Sequence, residues 1–258
     1  LEFRRVLFRS VDPTQQSNGR EESAVTNQIE IRISERGPFA DGHIFEGGGA
    51  YEKLKGRAHF AVDPLAAAQA GIVDLDKAPT NDSGLVEFAT DLIILKPADM
   101  GRGNGRLFFD YGNRGNIRAL QFFNDAPGSN DPATLDQAGN GFLMRRGYSI
   151  VWGAWQGDLL PGDGRMLLDV PIARNADGSP ITGPVRSEFI VEAPGQTCLP
   201  LSSRASTRSH PTVSLDTNDA SLTRRRYPGD PREPIPADQW SFARVEGGVG
   251  LEIGRAHV

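Results

Sequence analysis

The sequence predicts an α/β fold with a large β-rich portion, and three observations carry that prediction. Two short apolar runs without alternation, Leu107-Phe108-Phe109-Asp110-Tyr111 and Tyr148-Ser149-Ile150-Val151-Trp152, flank a stretch able to form helix. Strand, helix and strand within this distance make a βαβ unit, which implies a parallel pair. Alternating apolar residues in 28–104 predict antiparallel strands ahead of that unit, and turn-separated, strand-sized segments in 157–251 predict a β-rich insertion behind it.

Taken in order, residues 11–27 are polar and are expected to form a disordered lead-in. In the N-terminal β-rich region, 28–104, Ile29, Ile31 and Ile33 alternate with Glu30, Arg32 and Ser34. That two-residue period predicts a strand with three β-branched side chains on one buried face, ended by Gly37-Pro38. Gly42 and Gly47-Gly48-Gly49 form a flexible loop into Tyr51-Glu52-Lys53-Leu54. Ala58, Phe60 and Val62 alternate again until Asp63-Pro64 stops the strand, and Ile72-Val73-Asp74-Leu75 reads as a short further one. Residues 85–95 alternate first and then run apolar through Leu92-Ile93-Ile94-Leu95, with Lys96-Pro97 closing them.

The pattern changes in 105–156, the expected first βαβ part of the core. An apolar run without alternation at 106–111 fits a strand covered on both faces by helices. Gly112-Asn113-Arg114-Gly115-Asn116 is a turn, residues 117–123 open a helix, and 124–140 are loop-like. Phe142-Leu143-Met144-Arg145-Arg146 ends a second helical stretch, basic at its C-terminal end and stopped by Gly147 at a left-handed cap. Beyond residue 156 the strand-sized segments are 166–170, 185–191, 220–225 and 240–245.

The 258 residues, 38% hydrophobic and 24% charged, have globular composition. A net charge of -5 gives no electrostatic case for nucleic acid, and Arg224-Arg225-Arg226 reads as a solvated edge. No run approaches the roughly 20 apolar residues of a membrane span. Cys198 is the only cysteine, which excludes an internal disulfide and a cysteine metal cluster. His43 and His59 lack paired ligand spacing, and Asp125, Asp131 and Asp136 do not fit a calcium loop, so no metal and no cofactor are expected. Both ends resemble something else: residues 4–10 and 252–258 match translations of the two strands of a common short-read sequencing adapter. Residues 1–10 and 252–258 are therefore expected to be adapter artefacts and the chain a fragment, and localisation stays unread.

No catalytic set is visible. No G-x-S-x-G occurs, and Gly47-Gly48-Gly49 lacks the frame of a phosphate-binding loop. Asn113-Arg114-Gly115 differs, because it follows the first buried strand at the C-terminal edge of a parallel pair, where open α/β sheets bind ligands. It is either an oxyanion-side turn or a plain strand-to-helix turn.

Longer phrases resemble a bacterial family, the alpha/beta hydrolase domain-containing proteins. They include Tyr51-Glu52-Lys53-Leu54-Lys55-Gly56-Arg57-Ala58-His59-Phe60, Asn113-Arg114-Gly115-Asn116, Gly141-Phe142-Leu143-Met144-Arg145-Arg146-Gly147-Tyr148, Ile181-Thr182-Gly183-Pro184-Val185-Arg186 and Gln239-Trp240-Ser241-Phe242-Ala243-Arg244. The resemblance implies a truncated α/β-hydrolase sheet and a serine-type hydrolase of ester or related acyl bonds. Its nucleophile, acid and histidine would lie downstream, in a missing C-terminal half that becomes the chain's own partner beside a small ester-like substrate. Asn113, Arg114 or Gly115 would then supply oxyanion amides, and the fragment alone would be inactive. Trp152, Trp155 and Gln156 would lie at the same edge, either lining the substrate pocket or serving packing. The alternative is a β-rich binding or interaction module without catalysis, with carbohydrate among its candidate ligands.

Overall fold

Alternation in the first hundred residues becomes a sheet. A computed structural model describes residues 27–196, 198–202, 206–245 and 252–257; the expected lead-in and N-terminal adapter segment, up to residue 26, lie outside them. Strands β1 (Gln28–Pro38), β2 (Tyr51–Val62), β3 (Val86–Pro97), β4 (Leu107–Tyr111) and β5 (Ser149–Gly153) assemble in the order β1-β2-β3-β5-β4, and β6 (Leu168–Asp169) adds to β3. All pairs are antiparallel except β4 with β5, the parallel pair that the βαβ pattern predicts.

The two faces of this sheet differ. On one, Tyr51, Ile93, Leu95, Ile150 and Trp152 are buried with Leu120, Leu143 and Met144 of α1 (Ala119–Phe123) and α2 (Phe142–Arg145). Tyr51 pins this core: its hydroxyl donates to the carbonyls of Met144 and Tyr148 at 3.1 and 2.9 Å, and burial pushes its pKa up. The register places Ile29, Ile31, Ile33, Phe60, Phe88, Ile94, Leu107, Phe109 and Tyr111 on the opposite face.

The α/β expectation, and with it the truncated hydrolase sheet, is corrected here. The chain is mostly β, built on a mixed six-stranded sheet. The crossover from β4 to β5 holds helices of only five and four residues, because Asp, Asn, Pro and Gly interrupt 124–140. Both helices lie on one face. Leu107, Phe109 and Tyr111 of β4 are 61%, 43% and 68% exposed, so this strand is not covered on both sides as its sequence predicts. Ile29, Ile31 and Ile33 do form the expected strand, but they are exposed rather than buried.

Two further expectations fail, with no pairing partner among the described residues. Residues 72–75 are turn and 3-10 helix, with Asp74 left-handed at φ 59° and Val73 open to solvent. Residues 185–191 carry no strand. Within the expected segments 220–225 and 240–245 lie β8 (Leu222–Arg224), which forms a hairpin with β9 (Glu233–Ile235), and β10 (Ser241–Val245), which joins β7 (Cys198–Pro200) and, from beyond the expected insertion, β11 (Glu252–His257) in a small sheet. Strand β11 falls within the segment that resembles adapter.

The triple glycine is a packing device rather than a flexible turn. A Cβ on Gly48 would run into the backbone carbonyl of Met144, and one on Gly47 would meet that of Arg145 at 2.8 Å, so the loop abuts the end of α2 backbone to backbone.

Candidate functional site at the β4–β5 edge

Strands β4 and β5 are in register from Leu107 opposite Ser149 to Tyr111 opposite Gly153. Parallel neighbours leave a sheet at one edge, so turn 112–116 and segment 154–156 emerge side by side. Two hydrogen bonds tie them: Trp155 Nε1–H donates to the Gly112 carbonyl at 2.8 Å, and the Arg114 amide donates to Gln156 Oε1 at 2.6 Å. The turn that holds Arg114 and the segment that holds Trp155 and Gln156, about forty residues further on, are thereby brought together.

Local geometry explains the turn. Arg114 and Gly115 both have positive φ, 54° and 76°, and the Asn116 amide donates to the Asn113 carbonyl at 3.1 Å. Two left-handed central residues define a type I′ turn, which closes a tight reversal. Gly115 adopts this freely, whereas Arg114 pays on the order of 1–2 kcal/mol. Gly115 is also buried. A Cβ there would meet the Met166 carbonyl at 2.6 Å and Leu159 Cδ1 at 3.1 Å, and the Met166 amide donates to the Gly115 carbonyl at 2.9 Å. Of the three expected oxyanion residues, Arg114 therefore offers an amide already held by a side-chain carbonyl, Gly115 lies beneath the 159–166 segment, and Asn113 is exposed.

Asp110 and Asn130 organise this edge, and neither is singled out by the sequence. Asp110 Oδ2 accepts from the amides of Arg118 and Ala119 at 2.9 and 2.8 Å and from Trp152 Nε1–H at 2.9 Å. One carboxylate oxygen thus satisfies the start of α1 and the indole of a fully buried tryptophan. Asn130 Nδ2 donates to Asn116 Oδ1 at 2.9 Å and to the Asp163 carbonyl at 2.8 Å, while its Oδ1 accepts from the Ile117 amide at 3.2 Å. The signal for Asp110 was a lone acid inside an apolar strand; for Asn130 none existed, since its partners are distant in sequence.

The expected pocket residues separate. Trp152 is fully buried and borders only a cavity of about 10 Å³, shared with Ile117, Leu120 and Gln137, which is room for one water. Trp155 is 55% exposed and held by its indole N–H; next to its Gly112 acceptor, Tyr111 is open as well. The edge thus presents amide side chains and the open face of Trp155, while the Tyr111 ring packs edge-on against Phe109. A second, open groove of about 390 Å³ lies among Arg224, Arg225, Arg226, Asp230, Pro231 and Glu233. Two of its cations are engaged in ion pairs, Arg225 with Glu188 and Arg224 with Glu233, and Arg226 lies over the Tyr227 ring. Comparison with protein-family models, curated proteins and solved structures finds no match, so the reading of this edge rests on the chain's own residues.

Proposed function

We propose that this chain forms the ligand-holding side of a hydrolase of ester or related acyl bonds, with the β4–β5 edge supplying amide donors for a carbonyl oxygen. One observation carries the reading: an amide of a left-handed turn, Arg114 N–H, sits at the C-terminal edge of a parallel pair and already holds a carbonyl oxygen, that of Gln156. The resemblance of 113–116 to the hydrolase family supports the same assignment. No G-x-S-x-G occurs in the chain, so the chain alone should not turn over ester. A second reading, a binding module for carbohydrate, is favoured by the pinned and exposed Trp155, since an aromatic face stacks on sugar rings while amide side chains meet the hydroxyls.

Amide-resolved NMR titration separates the two. A short-chain carboxylate should shift the Arg114 amide, with the Gln156 side-chain signals following as that group is displaced, and p-nitrophenyl ester turnover should stay at background. A soluble oligosaccharide that shifts only the Trp155 indole would establish the second reading, and perturbation of neither region by either ligand would overturn both.

A further inference from the structure

The outer edge of β1 has the pattern of a self-pairing strand, and we infer that two copies of this chain join edge to edge through β1 about a two-fold axis at Ile31. Strand β1 is the terminal strand of its sheet, so the backbone groups on its outer side have no strand to pair with among the described residues. Its first nine residues are all open to solvent, and Ile29, Ile31 and Ile33 are 57%, 56% and 41% exposed. Such edges are ordinarily blunted by bulges, prolines or charge. Here the register shift between Ile33 and Glu35 and the terminal Pro38 blunt only the far half and leave residues 28–33 regular.

The occupant follows from charge and face. In an antiparallel pair, directly opposed residues share a face. With the axis at Ile31, Ile31 opposes itself, Ile29 opposes Ile33, and Glu30 opposes Arg32 in both directions. Six isoleucines then form one apolar strip, and two ion pairs form on the other face. Moving the axis to Glu30 or Arg32 places like charges opposite each other, and a half-step shift sets isoleucine against a charged residue. Only one register satisfies both faces, and it is symmetric, as a two-fold interface requires. Glu30 and Arg32 now pair within the strand at 2.6 Å, both well exposed, so dimerisation exchanges one weak pair in each copy for two across the axis and selects register without adding ion pairs.

Sedimentation velocity on the chain at micromolar concentration should show a dimer. Ile31→Lys, which sets two ammonium groups on the axis, should return it to monomer with an unchanged circular dichroism spectrum. Glu30→Arg and Arg32→Glu should each weaken dimerisation about tenfold, and the double exchange should restore it. In a Cys198→Ser background, Ile31→Cys should cross-link across the axis under mild oxidation. A monomeric wild type, a dimer that survives Ile31→Lys, or cross-linking through Phe109→Cys on β4 in place of Ile31→Cys each overturns the assignment.

Discussion

Residues up to Met166 and those after it share a turn-rich, strand-like composition, yet they fold differently. Among the described residues, every buried apolar side chain except Trp240 lies at or before Met166. Beyond it, Ile172, Ile190, Val191, Val213 and Leu215 are all exposed, and the strands are short ladders of two to six residues. The first region stacks a sheet face against α1, α2 and the triple-glycine loop. The second has β-branched residues but, among the described residues, no opposing layer. β-propensity describes a side chain that suits a half-buried pleated surface, and without a second layer there is nothing for it to be buried against.

Paired substitutions break or sharpen this contrast. Trp152→Ala removes the largest fully buried side chain and strips Asp110 of one of its three donors, so it should cost about 3–5 kcal/mol in urea unfolding. Ile190→Ala, in the second region, should stay within about 0.5 kcal/mol; comparable losses would mean that the two regions are one cooperative unit. Next, Gly48→Ala should cost about 1–3 kcal/mol, because the Met144 carbonyl must move. Gly183→Ala, which meets nothing within 4 Å, should leave the melting temperature unchanged.

The smallest effect concerns pH. Hydrogen bonds from Arg36, aided by Lys96, hold the Glu52 carboxyl below its usual range, and its side chain is only 12% exposed. A depressed folded-state value contributes stability above the unfolded value that is lost as pH falls through the folded one. Thermal stability should therefore decline below about pH 4, and Glu52→Gln should flatten that decline. Glu188 is likewise depressed, by Arg225 and Arg232, but it stands exposed in the second region. Glu188→Gln should leave the profile of the first region unaltered.

Much of the first region was legible in the sequence. Strands β2 and β3 follow from alternation, and the parallel relation of β4 and β5 from a crossover of the right length. Alternation reports that a strand has two unlike faces and is silent on which face is covered. Ile29, Ile31 and Ile33 gave the right strand and the wrong burial for that reason. Residues 72–75 and 185–191 have strand composition, but pairing is a property of a partner, and neither segment has one among the described residues. The turn at 113–116 could be placed by its position after β4, whereas Asp110 could not, since its indole donor lies 42 residues away.

The bond between Arg114 and Gln156 sets an entry condition for anything that uses this edge. Gln156 is an intramolecular competitor, tethered beside the amide at an effective concentration of roughly millimolar or above. A ligand bringing a lone neutral carbonyl offers the amide nothing that it lacks. An anionic oxygen forms the stronger, charge-assisted bond and can displace the glutamine. The resting fold thus discriminates by charge before it discriminates by shape, and it would do so for a passing carboxylate as readily as for an intermediate formed in place.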